Sequence, residues 1–141
     1  MSETRRELSA WFADFSRETL TLDGEADLFA LYGIEGDDAF EFMDAFVNRF
    51  DVEVDGYRWY FHHAEEGMNI GGWFFKPPYR RVQRMPITPD LMVEAIDGKH
   101  WPVQYPPHDL PTVRWDIRVN QMMFVVPVVL FSLWLWNRFV A

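Results

Sequence analysis

Cysteine is absent from this chain. That excludes disulfides, thiol nucleophiles and cysteine-ligated zinc, and leaves the compartment open. Serine is scarce: Ser2, Ser9, Ser16 and Ser132 are the whole set, and none sits on the glycine-flanked elbow that exposes a nucleophile. Gly71-Gly72 is not followed by Gly-Lys-Ser/Thr, so no phosphate-cradling loop is present. Positive charge is also short. Lys and Arg number 13 against 22 Asp and Glu, a net charge of −9. Such a field repels phosphates and excludes nucleic acid as the expected partner. The opening MSETRRELSAWF has charges where a secretory signal needs an uninterrupted apolar run, so none is expected.

Aromatic residues, by contrast, are plentiful at 18%. A chain of 141 residues has room for one domain, and large rings are the expected filling of its core. The stretch from Gly36 to Phe50, GDDAFEFMDAFVNRF, organises the reading. At about 100° per residue, Ala39, Phe40, Phe42, Met43, Phe46, Val47 and Phe50 share one broad arc. Asp37, Asp38, Glu41 and Asp44 share the opposite arc with Asn48 and Arg49. Period-two alternation fails at Phe46-Val47, so the pattern predicts a helix with a core side and an acidic side.

Around it, Leu8, Trp11, Phe12 and Phe15 predict a first helix over 4–20, with Thr4 as its cap and Glu7 completing a capping box. DLFALY, Asp27 to Tyr32, suits one helical turn stopped by Gly33. Thr88 caps a further helix to Ile96, with Pro89 at its first position and Gly98 placed to end it. Between these, Asp55-Gly56 suits a hairpin or a loop, and Pro77-Pro78 breaks any continuous helix through WFFKPPYRRVQRMP. Residues 101–112 hold four prolines and read as an extended linker. Residues 1–66 carry 17 acids and 5 bases, and residues 76–118 carry 5 acids and 7 bases; the two halves are expected to face each other.

Met122 to Trp136 is apolar except for Ser132. Taken over 119–140 it would be about 33 Å long, enough for a hydrocarbon core of roughly 30 Å. Trp134, Trp136 and Arg138 suit one membrane interface, and Asn120 and Gln121 the other. Pro127 is tolerated in lipid when neighbouring groups satisfy the backbone. Lys99, Arg114 and Arg118 precede the span and Arg138 alone follows it, which predicts a tail-anchored protein with a cytoplasmic N-terminal domain.

Chemistry-bearing clusters are few. His62-His63-Ala64-Glu65-Glu66 lacks the i, i+4 spacing of zinc-binding helices, so it is expected to be a solvated loop. A small metal-dependent enzyme using His62, His63 and Glu65 is the alternative it leaves open. The acids of the central helix share one wet face, unlike catalytic carboxylates, which need unlike environments. A docking surface for a basic partner is the functional reading of Asp37, Asp38, Glu41 and Asp44. Trp73-Phe74-Phe75-Lys76 with Tyr79-Arg80-Arg81 suits either a core filling or a membrane surface, and the core is the expected place.

YGIEGDDAFEFMDAFVNRFDVEV, with ITPDLMVEAIDGKH further on, resembles the acyl carrier protein family. Gly33 falls on that family's glycine, Glu35 on its aspartate, Glu41 on its helix glutamate and Phe50 on its closing phenylalanine. Residues 57–85 would be an insertion. The family's modified serine falls on Gly36, so the resemblance implies the fold and the acidic recognition helix but no site for a phosphopantetheine arm; an acyl carrier using another attachment site is the remaining alternative. The same stretches, with ITPDLMVEAIDGKHWP, are similar to a family of small bacterial proteins known as domain of unknown function 1493.

The expectation is therefore a mainly α fold: a carrier-like helical bundle over 1–100 with an inserted aromatic or hairpin segment at 57–85. A proline-rich linker over 101–118 and one transmembrane helix over 119–140 follow. The expected role is a non-enzymatic, cofactor-free interaction module at the cytoplasmic face of a bacterial inner membrane. Its partners would be a basic protein surface and, through 119–140, the bilayer.

Overall fold

The structure, a computed structural model, describes residues 1–21 and 23–140. It is mainly helical: α1 (Glu3–Ser16), α2 (Leu28–Tyr32), α3 (Gly36–Phe50), α4 (Pro89–Gly98) and α5 (Trp115–Phe139). Three single 3₁₀ turns, Trp59–Phe61, Gly71–Trp73 and Pro78–Arg80, lie between α3 and α4. Two units form, one from Met1–Glu66 with Val82–Pro107 and one from Gly67–Arg81 with His108–Ala141.

In the first unit α3 supplies the centre of the core. Phe42 is fully buried, and its ring lies 5.2 Å from Trp11, 6.2 Å from Phe12, 5.5 Å from Phe15 and 5.4 Å from Phe29. The i, i+3, i+4 spacing read on α1 and α3 is thus the spacing of a shared aromatic seam. Phe40 departs from its expected place: it is 41% exposed and packs sideways on Trp59 and His63. It lies at the edge of the arc, where the core has ended.

Helix ends follow local chemistry, with two corrections. Ser2, not Thr4, caps α1 by accepting from the Arg5 amide at 3.2 Å, while Thr4 donates to Asp97 at 2.6 Å and Arg5 pairs with Asp90. These contacts tie α1 to α4. Thr88 caps α4 as its sequence predicts, accepting from the Leu91 amide at 3.1 Å, and Gly33 ends α2 in the left-handed region at φ 64°. Gly98 does not stop α4; Lys99 takes the left-handed cap, φ 57°, and its ammonium donates to the Phe50 carbonyl at 2.6 Å, closing the end of α3 as well.

No hairpin forms at Asp55-Gly56. Among the described residues the sole pairing is a parallel bridge between Glu53 and His100, with Glu53 N–H donating to Lys99 at 3.0 Å and Trp101 N–H to Glu53 at 2.8 Å. The extended Val52–Val54 stretch prefers the chain leaving α4 because both ends are already brought together by Lys99. The proline-rich stretch likewise begins packed rather than free. Trp101 is buried, and Val103 and Tyr105 pack against the core of the first unit.

The second unit is built on α5. Within α5 only Asp116 is buried. The 25-residue helix runs about 37 Å at 1.5 Å per residue and is long and apolar enough to cross a membrane. It starts at Trp115, before the expected span. Pro127 lies inside it, and Ser132 donates to the Val128 carbonyl at 2.8 Å one turn earlier.

Candidate functional site

Asp37, Asp38, Glu41 and Asp44 all lie exposed on α3. Two of them, Asp37 and Asp38, stand in its first turn, where the helix dipole favours negative charge. Among the described residues none of the four makes an ion pair, whereas Asp27 pairs with Arg84 and Asp90 with Arg5. Arg5 and Arg84 of this unit are thus engaged away from the acidic face. Beside that face, Phe15, Tyr32, Ile34, Asp38 and Glu41 line an open cleft of about 300 Å³ between the end of α1 and the start of α3. Its lining combines the rings of Phe15 and Tyr32 with the acids Glu18, Asp38 and Glu41.

The start of α3 is fixed by the chain that follows it. Glu35 does not cap the helix with its side chain. Its carboxylate instead accepts from the Ala64 amide at 2.8 Å, while the Gly36 amide donates to the Ala64 carbonyl at 3.1 Å. Gly36 is buried with φ 51°, and a Cβ there would stand 2.0 Å from Glu66 Cγ. Glu66 is exposed and could swing aside, but the positive φ disfavours any L side chain.

The histidine pair is not the solvated loop its sequence suggests. His62 is 0% and His63 2% exposed. His62 Nδ1 donates to the Met85 carbonyl at 2.9 Å, leaving Nε2 to accept from the Tyr105 hydroxyl at 2.7 Å. Tyr105 oxygen in turn accepts from Trp101 Nε1 at 2.9 Å and from the Arg58 amide at 3.2 Å. Tyr57 stacks on the His62 ring at 5.2 Å. Burial pushes the His62 pKa down to about 4, and it lowers that of His63 as well. Both imidazoles are therefore neutral at pH 7. His63 Nδ1 faces the Ala64 carbonyl at 3.0 Å, and its ring is packed against Phe29, Phe40 and Trp59. Both nitrogens of His62 are engaged by protein groups, whereas His63 Nε2 is buried without a hydrogen-bond partner among the described residues. Among the described residues no group of three or more His, Asp and Glu is arranged to hold a metal ion.

A second polar cluster escaped the sequence reading. In the second unit, Asp116 is 2% exposed and accepts from Arg114 at 2.9 and 2.6 Å and from Asn69 at 3.0 Å. Asn120, one turn along, accepts from the Gly71 amide at 2.7 Å and donates to Asn69 at 2.9 Å. The i, i+4 spacing of Asp116 and Asn120 at the start of an apolar helix was the available signal. The aromatic segment is corrected with it. Trp73 and Phe74 are 74% and 75% exposed, so they fill no core in their unit.

No protein-family model, characterised protein or solved structure matches the chain.

Proposed function

We propose that this chain is a non-enzymatic interaction module, anchored in a membrane by α5, that offers the acidic face of α3 to a basic protein surface. The observation that carries the reading is the pairing pattern. Arginines in the first unit answer Asp27 and Asp90, and leave Asp37, Asp38, Glu41 and Asp44 unpaired and exposed. Unpaired surface charge lowers stability through self-repulsion and speeds association with an opposite surface. Tethering by α5 raises the local concentration of the face near membrane partners, so weak docking suffices.

The bases before the span, Lys76, Arg80, Arg81, Arg114 and Arg118, outnumber Arg138 after it. That bias favours the N-terminal side facing the cytoplasm, and the resemblance to small bacterial proteins favours the inner membrane of a bacterium. Gly36, with φ 51°, supports an interaction role over a carrier role at this turn.

The test is copurification from gently solubilised membranes, comparing the natural chain with Asp37→Lys/Glu41→Lys/Asp44→Lys. Circular dichroism checks folding of the variant. The reading expects a partner held by the natural chain and lost from the variant. It also expects that partner, once purified, to rebind directly with an affinity that falls as salt rises. Equal recovery with both chains would reduce the face to a solvated one.

A further inference from the structure

The two units differ sharply in charge. Residues 1–66 with 82–107 hold 20 acids and 7 bases, net −13, while 67–81 with 108–141 hold 2 acids and 6 bases, net +4. The basic unit is also the one that carries α5. Within it, Gly67–Arg81 is fastened to the first turns of that helix by Asn69, Gly71, Asp116 and Asn120. The contact is close: a Cβ on Gly71 would stand 2.1 Å from the Asp116 carbonyl oxygen. Polar groups of the loop and helix are thereby turned on each other, and the loop's large apolar side chains are turned outward.

Those side chains are Met68, 81% exposed, Trp73, 74%, and Phe74, 75%. Met68 and Ile70 line an apolar crevice of about 270 Å³ with Met123 and Phe124 of α5. Residue 124 lies about 12 Å along the helix from Asp116 at 1.5 Å per residue. The loop therefore stands level with the beginning of the apolar span. Lys76, Arg80 and Arg81 are exposed beside these rings and make no ion pair among the described residues. Arg118 lies over the Trp115 ring, 5.2 Å from its centroid. Aromatic tips and free bases at the end of an apolar helix are the composition that settles at a lipid headgroup boundary.

We propose that residues 67–81 form an interfacial collar that binds the leaflet α5 enters. Trp73 and Phe74 insert at the boundary between headgroups and acyl chains, and Lys76, Arg80 and Arg81 contact anionic phospholipid headgroups. The inference rests on α5 crossing the bilayer. Its occupant is chosen by continuity with that helix and by charge: a leaflet rich in anionic lipid supplies an apolar zone and negative charge at the same depth.

Because the chain has no cysteine, single labels report on single places. Full-length Phe74→Cys, Leu130→Cys and Glu7→Cys are each labelled with an environment-sensitive nitrobenzoxadiazole dye. They are reconstituted in vesicles of phosphatidylcholine alone or mixed with phosphatidylglycerol, with nitroxide lipids as shallow or deep quenchers. The collar predicts a blue-shifted label at 74, quenched most by the shallow nitroxide in anionic vesicles. The label at 130 is quenched by the deep nitroxide, and the label at 7 by neither. Adding Lys76→Gln, Arg80→Gln and Arg81→Gln should reduce the inserted population at 74 by about fivefold per charge removed. A label at 74 that stays water-like while the label at 130 is quenched overturns the collar and leaves the span intact. A blue-shifted label at 74 that no lipid quencher reaches overturns it in favour of burial against a second copy. Loss of quenching at 130 removes the span, and the collar with it.

Discussion

The Tyr105 hydroxyl donates to His62 Nε2 across 2.7 Å, joining a residue just after the α4 exit to the turn that follows α3. Because His62 Nδ1 is committed to the Met85 carbonyl, the ring can keep both bonds only while Nε2 carries no proton. Its folded pKa, driven down by burial to about 4 from 6.5, sets the direction of the pH response. Between those values the unfolded chain binds the proton and the folded chain does not. Stability is therefore full above pH 6.5, falls as pH drops through that window, and levels off below pH 4. The loss is about 3 kcal/mol for this group, and His63 shifts in the same direction. Urea unfolding of the full chain in detergent, followed by tryptophan fluorescence over this pH range, measures it. A flat profile would contradict a neutral buried His62.

Tyr105→Phe separates the hydrogen bond from the burial. It leaves His62 Nε2 and Trp101 Nε1 without their shared partner and should cost about 1–3 kcal/mol at pH 7. The acid-side slope should persist, because burial is the first cause of the depressed pKa. Loss of the slope in Tyr105→Phe would assign it to the hydroxyl instead.

What could be read beforehand divides along sequence distance. The acidic and apolar faces of α3, the Thr88-Pro89 start of α4 and the Gly33 stop of α2 depend on neighbours within one helical turn, so spacing alone revealed them. The His62 pair could not be read this way. Its burial depends on Tyr105 and Met85, 43 and 23 residues away, and nothing beside the histidines announces them. The exposed Trp73 and Phe74 failed for a different reason. Aromatic rings next to prolines suit a buried corner and an exposed one alike, and only the Asn69–Asp116 and Gly71–Asn120 bonds show which way the loop turns. The candidate acidic face was fully legible as a surface. Its lack of ion pairs was not, since Arg5 and Arg84 find Asp90 and Asp27 at distances in sequence of 85 and 57 residues.

Phe42 and Phe40 lie two positions apart on α3 and should respond in opposite ways to truncation. Phe42 is fully buried among four rings, so Phe42→Ala should cost roughly 3–5 kcal/mol. Phe40 is 41% exposed, so Phe40→Ala loses chiefly its edge contacts with Trp59 and His63 and should cost about 1 kcal/mol. Paired urea titrations test the contrast. Equal costs would mean that the outer edge of α3 is packed more deeply than its exposure indicates.

Introducing a hydroxyl at the turn into α3 should not make a carrier. Gly36→Ser places a side chain at φ 51°, a conformation that costs about 1–2 kcal/mol for an L residue. It also places it under Glu66, with the adjacent Glu35 carboxylate already holding the Ala64 amide. Gly36→Ser should therefore be less stable than the natural chain. After co-expression with a phosphopantetheinyl transferase, its intact mass should equal that of the sequence. A mass increase of one phosphopantetheine would show that the turn opens enough to be modified.

Gly71 offers the sharpest test of how the loop is held to α5. The neighbour a methyl group would meet is backbone, the Asp116 carbonyl oxygen at 2.1 Å, so it cannot be accommodated by rotating a side chain. Asp116 is itself held by Arg114 and Asn69, and moving its carbonyl would disturb those bonds. Gly71→Ala should thus weaken docking of Gly67–Arg81 by about 1–3 kcal/mol, the usual cost of overpacking. The helix caps and core of the other unit should be untouched. Arg80 and Arg81 are exposed, which makes trypsin a direct reporter of loop opening. Where opening is fast relative to cleavage, the cleavage rate follows the open population, so nicking at these arginines should rise by about fivefold or more. The urea midpoint of the first unit should stay within error. If Gly71→Ala leaves cleavage unchanged, the loop must have room to shift without releasing Asp116, and the close approach would not be what holds it in place.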